Sequence, residues 1–268
     1  MVQSSFYLSP PHGLNAYYPE DYYAYITLNE SGTLRKILKK IRWKFFTLFD
    51  ISLFRPLYGS WLKNAGAELD DKIADIGCGN GQLLYEMYAS GFSNLTGIDP
   101  FIESSKVINP SLSLLKNSIY EIEESFDLIM MHHSFEHMDE PKKGLEKANQ
   151  LLKPGKKLLI RIPISDGEAW KIYGVHWAQL DAPRHFFIHS VKSIRLLAEQ
   201  TGFEVSQITY DSNEYQFWAS EAIMRDVPST QAQGLFTAKE LKKFNEKAKK
   251  LNQIEKGDQA CFYLTKVG

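Results

Sequence analysis

Three glycines at alternate positions, Gly77, Gly79 and Gly81, follow the apolar run Ile73-Ala74-Asp75-Ile76 and lead into Leu83-Leu84. Such a turn lets a backbone approach a ligand closely and leaves amide N–H groups free where a helix begins. An acid, Asp99, ends the next apolar run, Leu95-Thr96-Gly97-Ile98, 18 residues beyond Gly81. At the tip of a neighbouring strand, an acid at that distance can accept from both hydroxyls of a ribose. The chemistry is recognition of an adenosine-bearing cofactor. Taken alone, the triad could also be a strand-to-helix turn that needs glycine without any ligand.

The spacing narrows the choice. Dinucleotide sites read G-x-G-x-x-G, one residue longer, and a phosphate-cradling loop would carry a lysine followed by serine or threonine. Asp75 to Gly81 instead resembles the first motif of the class I S-adenosylmethionine-dependent methyltransferases, E/D-x-G-x-G-x-G. That resemblance implies S-adenosyl-L-methionine as cofactor, with Asp75 near its methionine ammonium, the three glycines beneath it and Asp99 on its ribose. It also aligns Leu115–Tyr120 with the segment that flanks the adenine. Ser118 stands there where many relatives carry an acid, and Ile119 and Phe101 would flank the ring or serve in the core. The resemblance covers most of residues 68–210.

Histidines carry the remaining chemistry. His133 to His137 spell H-x-x-E-H, a zinc-peptidase signature when it lies on a helix. Here the string begins where the apolar strand Phe126–Met131 ends, so no metal is expected. The family resemblance matches Phe135-Glu136-His137-Met138 to a recurrent leucine-glutamate-histidine-valine run. It implies that His132 and His133 lie at the cofactor–substrate junction while Glu136 and His137 organise the loop. Downstream, Asp181-Ala182-Pro183-Arg184-His185 with Ser190 resembles a subgroup of small-molecule methyltransferases that modify surface sugars, lipids or secondary metabolites. A histidine titrating near neutrality suits removal of a proton from an acceptor hydroxyl. His185 is the first candidate for that base and His133 the second; a core or helix-capping role is the other reading of His185.

Positioning these groups requires an alternating chain. The pattern predicts strand 73–77, helix 81–90, strand 95–99, helix 102–108, strands 112–116 and 126–131, helix 141–152 and strand 157–163. An insert at 164–189 follows, then helix 190–201 capped by Ser190, strand 203–209, a second insert at 211–235, a helix capped by Thr237, and strand 259–266. Alternation with short connections makes a parallel sheet with helices on both faces. The expected fold is α/β and Rossmann-like, a doubly wound sheet of seven strands with an antiparallel last strand, as the resemblance implies. Residues 68–268 would form that domain, its two inserts walling the acceptor, with Phe217 and Trp218 offered as wall or dimer contact.

Residues 1–67 stand outside the alternation and are expected to form a helical cap or lid. Five tyrosines crowd Tyr17–Tyr25. Thr33–Phe49 reads as a helix with Leu34, Ile37, Leu38, Ile41, Phe45 and Leu48 on one face and Arg35, Lys36, Lys39, Lys40, Arg42 and Lys44 around the rest. Two readings stay open: a cap helix whose basic face is solvated, or a basic amphipathic helix that touches an anionic membrane.

A net charge of −1 over 268 residues argues against a general nucleic-acid binder, and no Asn-Pro-Pro-Tyr run follows the fourth strand. Two distant cysteines, Cys78 and Cys261, suit a reducing compartment. No signal-peptide pattern is visible over Met1–Tyr25 and no apolar run is long enough to span a bilayer, so a cytoplasmic location without integral membrane association is expected. Methyl transfer from S-adenosyl-L-methionine to a small-molecule acceptor, as O-methylation, is the expected function. A non-catalytic cofactor-binding or partner subunit is the alternative, and the oligomeric state is left open.

Overall fold

In a computed structural model of the chain, residues 5–7 and 27–267 are described. The tyrosine cluster at 17–25 lies outside them, so the lid expected there has no structural account. In chain order the elements are β1 (Ser5–Tyr7), α1 (Thr33–Phe49), α2 (Gly59–Ala65), β2 (Ile73–Ile76), α3 (Gln82–Ala89), β3 (Leu95–Ile98), β4 (Lys106–Asn109), β5 (Leu112–Leu115) and β6 (Phe126–His132). There follow α4 (Pro141–Leu151), β7 (Leu152–Pro163), α5 (Glu168–Tyr173), β8 (Phe187–His189), α6 (Val191–Gln200), β9 (Phe203–Tyr210), α7 (Tyr215–Met224), α8 (Ser229–Ala232), α9 (Ala238–Gln253) and β10 (Gln259–Lys266).

One eight-stranded sheet, in the order β4-β5-β3-β2-β6-β7-β10-β9, organises the molecule. β5, β3, β2, β6 and β7 run parallel, and β10 is inserted antiparallel between β7 and β9. This is the doubly wound arrangement expected, with one strand more. The helix foreseen at 102–108 does not form; residues 101–104 turn, and Lys106–Asn109 becomes β4, antiparallel to β5. A four-residue run containing Val107 and Ile108 is too short for its periodicity to separate strand from helix.

Helix ends follow the local chemistry. Ser190 accepts from the backbone N–H of Ser193, and Thr237 from that of Glu240, so each caps its helix. One sheet face packs Ile76, Ile129, Leu145 and Ile194 with α4 and α6. The opposite face packs Leu84, Met87, Leu128 and Tyr263 with Trp43 and Phe46 of α1 and Leu62 of α2, so these two helices share the sheet's own core. A third, smaller core joins Trp177, Ile188, Phe217 and Ala248, binding the two inserts to α9. Phe217 is wholly buried there and stacks on Phe244, so it lines no wall. Both cysteines are free and buried.

α1 spans the residues expected, but against the cap reading its apolar stripe is not the face that packs. Trp43 and Phe46 are its buried residues, while Leu34, Ile37, Leu38, Ile41, Phe45 and Leu48 are exposed.

Candidate active site

β2 ends in the glycine turn. Gly77, Gly79 and Gly81 have φ values of 76, 54 and 80°, the left-handed region in which a side chain is strained. Space forbids one as well. A Cβ on Gly77 would overlap the Ser134 side chain, and one on Gly81 would lie 2.7 Å from Leu114. Ser134 in turn donates its hydroxyl to the Ile76 carbonyl at 2.6 Å, which ties the ends of β2 and β6 together.

Asp99, at the end of β3, accepts from the Gly79 N–H through Oδ2 at 2.9 Å and from the Phe101 N–H through Oδ1 at 2.8 Å. Each carboxylate oxygen has a second lone pair, which leaves capacity for a diol. Asp75 is buried and its Oδ1 has no hydrogen-bond partner among the described residues. Burial, and then the charge of Asp99, push its pKa up to about 8. A buried carboxyl group with one unpartnered oxygen beside the glycine turn is a group whose ionised form an ammonium would stabilise.

A mostly apolar cavity opens over this turn. Asp99, Phe101, Ser118, Ile119, His133 and Ser134 line it, with His137 and Met138. The structure thus brings Phe101, Ser118 and Ile119 into one cavity with Gly77 and Asp99. The Ser118 hydroxyl accepts from the Tyr120 N–H and caps a short 3-10 turn, Ile119–Glu121, and its O–H remains available as a donor.

A second, polar cavity adjoins the first. Its walls include Arg161 of β7, Gln179 from the first insert, Tyr215 and Gln216 of α7, Asp258 and Gln259. His133 lines both cavities. It follows β6 with φ 50°, a conformation that costs a non-glycine residue free energy and turns its ring to this junction. Its Nε2 lies 2.6 Å from Nη1 of Arg161 and its Nδ1 lies 3.3 Å from Oε1 of Glu136. Arginine only donates, so Nε2 is the acceptor and the Nδ1 proton faces Glu136.

Glu136 is fully buried, with neither carboxylate oxygen in a well-aligned hydrogen bond among the described residues. Burial alone would raise its pKa; His133, His185 and His137 outweigh burial and hold the carboxyl below its ordinary range. Glu136, His137 and His185 each offer a ligand atom, all within 4.8 Å of one another, and are the described residues close enough to share a metal ion.

His185 lies behind the cavities rather than in their walls. It is buried, its Nδ1 is 2.9 Å from the Gln179 carbonyl, and its Nε2 faces Asp181 at 3.7 Å and Glu136 at 4.0 Å. Burial lowers its pKa. His132 points to the other side of β6. Its ring packs on Trp61 with centroids 4.8 Å apart, both nitrogens lack partners among the described residues, and burial followed by the Arg161 charge pushes its pKa down to about 3.

Several contributors escape the sequence. Arg161 donates from Nε to Asp211 Oδ2 at 2.7 Å, and Asp211 also accepts from Trp61 Nε1 and Gln259 Nε2. Burial opposes ionisation of Asp211, but Arg161 and these donors outweigh it and lower its pKa. Asp258, which accepts from Trp177 Nε1 at 2.9 Å and lines the polar cavity, has its pKa raised by burial to about 6. Arg161, Asp211 and Gln259 come from β7, the loop after β9 and the start of β10, and the sheet register brings them together.

Comparison with known proteins supplies the family. Residues 51–208 match the model of the methyltransferase domain family. A tRNA U34 carboxymethyltransferase of Saccharophagus degradans is 21% identical over 208 residues, covering 68% of this chain and 63% of that protein. A ubiquinone biosynthesis O-methyltransferase of Pseudomonas aeruginosa is 26% identical over 182 residues, covering 62% of this chain and 77% of its own. The chain spans less than two thirds of the length of the carboxymethyltransferases it matches. The cyclopropane synthase MmaA2 of Mycobacterium tuberculosis shares the fold with a TM-score of 0.50 at 17% identity, over 76% of this chain and 81% of that one. The [4+2]-cyclase SpnF does so with a TM-score of 0.51 at 16% identity, over 79% and 81%. The chain belongs to the methyltransferase domain family, among the class I S-adenosylmethionine-dependent methyltransferases.

Proposed function

We propose that this member of the family methylates a hydroxyl of a polar small molecule held in the cavity bounded by Arg161, Gln179 and Tyr215. The observation that carries the reading is the position of His133, a proton-holding group shared by the cofactor-side cavity and the polar one. When bound, S-adenosylmethionine supplies an activated methyl group. The residues fit it: Asp75 for the ammonium, Asp99 for the ribose, Phe101 and Ile119 for the faces of the adenine, and Ser118 as a donor to the ring.

The chain's own task is then to align the acceptor and to take its proton. Alignment of two reactants can contribute on the order of 7–11 kcal/mol. Nε2 of His133 has a single lone pair, which accepts from Arg161; it takes the hydroxyl proton when the acceptor oxygen displaces that N–H. Glu136 beside Nδ1 favours the resulting imidazolium, and the pairing with Asp211 retains the displaced guanidinium in the cavity. His185, touching Glu136 from behind, positions that carboxylate rather than meeting the acceptor.

A nucleic-acid acceptor is the second reading, favoured by the relatives named as tRNA carboxymethyltransferases. Walls of the polar cavity contributed by Gln179 and Tyr215, and the near-zero net charge, support the small molecule. The two separate in one assay. Protein incubated with methyl-labelled S-adenosylmethionine is offered a small-metabolite extract and bulk tRNA in parallel. Label in the metabolite fraction is the expected result. Label confined to tRNA would overturn it, and cofactor binding without transfer to either would favour a non-catalytic subunit.

A further inference from the structure

Helix α1 presents its apolar face to solvent. Lys36, Lys39, Trp43 and Phe46 are its only residues that are not exposed. Successive residues of a helix step by about 100°, so these four define one inward stripe. That stripe is locked. Trp43 packs on Tyr58 and Phe92, Lys39 pairs with Glu86 at 2.6 Å, and Lys36 lies over the rings of Tyr85 and Tyr88. The opposite stripe is Leu34, Ile37, Ile41, Phe45 and Leu48, each 42–70% exposed. Leu53 and Leu57, in the segment after the helix, are also exposed, at 81% and 85%.

A surface helix ordinarily buries its apolar stripe, and scattered exposed leucines mean little; a continuous stripe marks an interaction surface. Its borders say with what. By the same angular step, Lys40 and Lys44 run along one edge and Arg35 and Arg42 along the other, all exposed, and 33–49 contains no acid. We propose that this face docks on an anionic lipid bilayer. α1 would lie in the headgroup plane with its apolar stripe among the acyl chains and its basic edges on the phosphates.

The charge pattern selects this occupant. A second copy meeting the face through a two-fold axis would set basic edges against identical basic edges, which is repulsive. An anionic bilayer complements both the centre and the edges. The contact is peripheral, because no helix among the described residues is long and apolar enough to cross a membrane. Asn29 and Ser31, just before α1, are hydrogen-bonded to Gln82 and Tyr85 of α3, which ties the entry to the helix to the element that follows the glycine turn. The proposal is independent of the acceptor's identity.

The test is flotation of the full chain with vesicles of phosphatidylcholine alone and with about one third phosphatidylglycerol. Binding to the anionic vesicles alone, weakened at about 0.5 M salt where charges are screened within roughly 4 Å, is expected. Lys40→Ala and Lys44→Ala should each lower partitioning roughly fivefold. Ile41→Glu with Phe45→Glu should abolish it while circular dichroism and melting stay native-like. Anionic vesicles left unbound by the folded wild type, or bound equally by the double glutamate variant, would overturn the proposal. So would a wild-type dimer in sedimentation that the double variant converts to monomer without any vesicle binding.

Discussion

Nη1 of Arg161 and Nε2 of His133 lie 2.6 Å apart, joining the centre of the sheet to the junction of the two cavities. A guanidinium has no lone pair to offer, so this contact fixes the imidazole tautomer without any other assumption. It also leads to the first expectation. His133→Ala should lower turnover about 10²–10⁴-fold while the affinity for S-adenosylhomocysteine, measured by titration calorimetry, changes little. His185→Ala should cost less turnover than His133→Ala and shift the pH profile, since it acts through Glu136. If Asp258→Asn, and not His133→Ala, flattens the pH dependence of turnover, the base is Asp258.

Asp99 accepts two backbone N–H groups that hold the glycine turn against the loop after β3. Hydrogen bonds to a charged group contribute about 1.5–3 kcal/mol each. Asp99→Ala should therefore weaken S-adenosylhomocysteine binding by at least roughly 10- to 100-fold. An unchanged dissociation constant would remove Asp99 from the cofactor site.

The pKa of Asp75, raised to about 8 by burial and then by Asp99, makes two pH dependences. The unfolded chain releases this proton near pH 4, so between about 4 and 8 the folded, cofactor-free protein holds the extra proton. Its contribution to stability is complete below about 4 and is lost as pH rises through about 8. Cofactor affinity runs the other way, because an ammonium prefers the ionised carboxylate, and should climb up to about tenfold per unit toward pH 8. Melting curves and calorimetry across pH 6–9 on the wild type and Asp75→Asn check both; the variant should lose both slopes.

Gly77→Ala places a methyl group against Ser134 in a backbone conformation reserved for glycine. Strain and overpacking together should cost about 2–5 kcal/mol, read as a lower midpoint in urea. An alanine variant with wild-type stability would mean that the turn relaxes.

What the sequence made legible was local. The glycine triad, Asp99 and the capping residues Ser190 and Thr237 carry their geometry in neighbouring residues, and their elements fall where the pattern put them. The α1 periodicity showed that the helix is amphipathic, but a stripe cannot say which way it faces; packing of Trp43 and Phe46 decides that. β4 was missed because four residues carry no period. Arg161, Asp211 and Gln259 were beyond reach for a different reason. Their meeting depends on β10 pairing with both β7 and β9, a register written nowhere near any one of them.

The two buried thiols stand where different parts of the protein would have to open. Cys78 belongs to the glycine turn, whereas Cys261 lies within β10, opposite Arg161 on one side and Thr209 on the other. Burial raises both thiols well above their ordinary pKa, so neither reacts until it is uncovered. Lifting the turn uncovers the first; separating strands uncovers the second. A thiol reagent therefore times two openings in one molecule, and a ligand seated on the turn would slow the first by far more than the second.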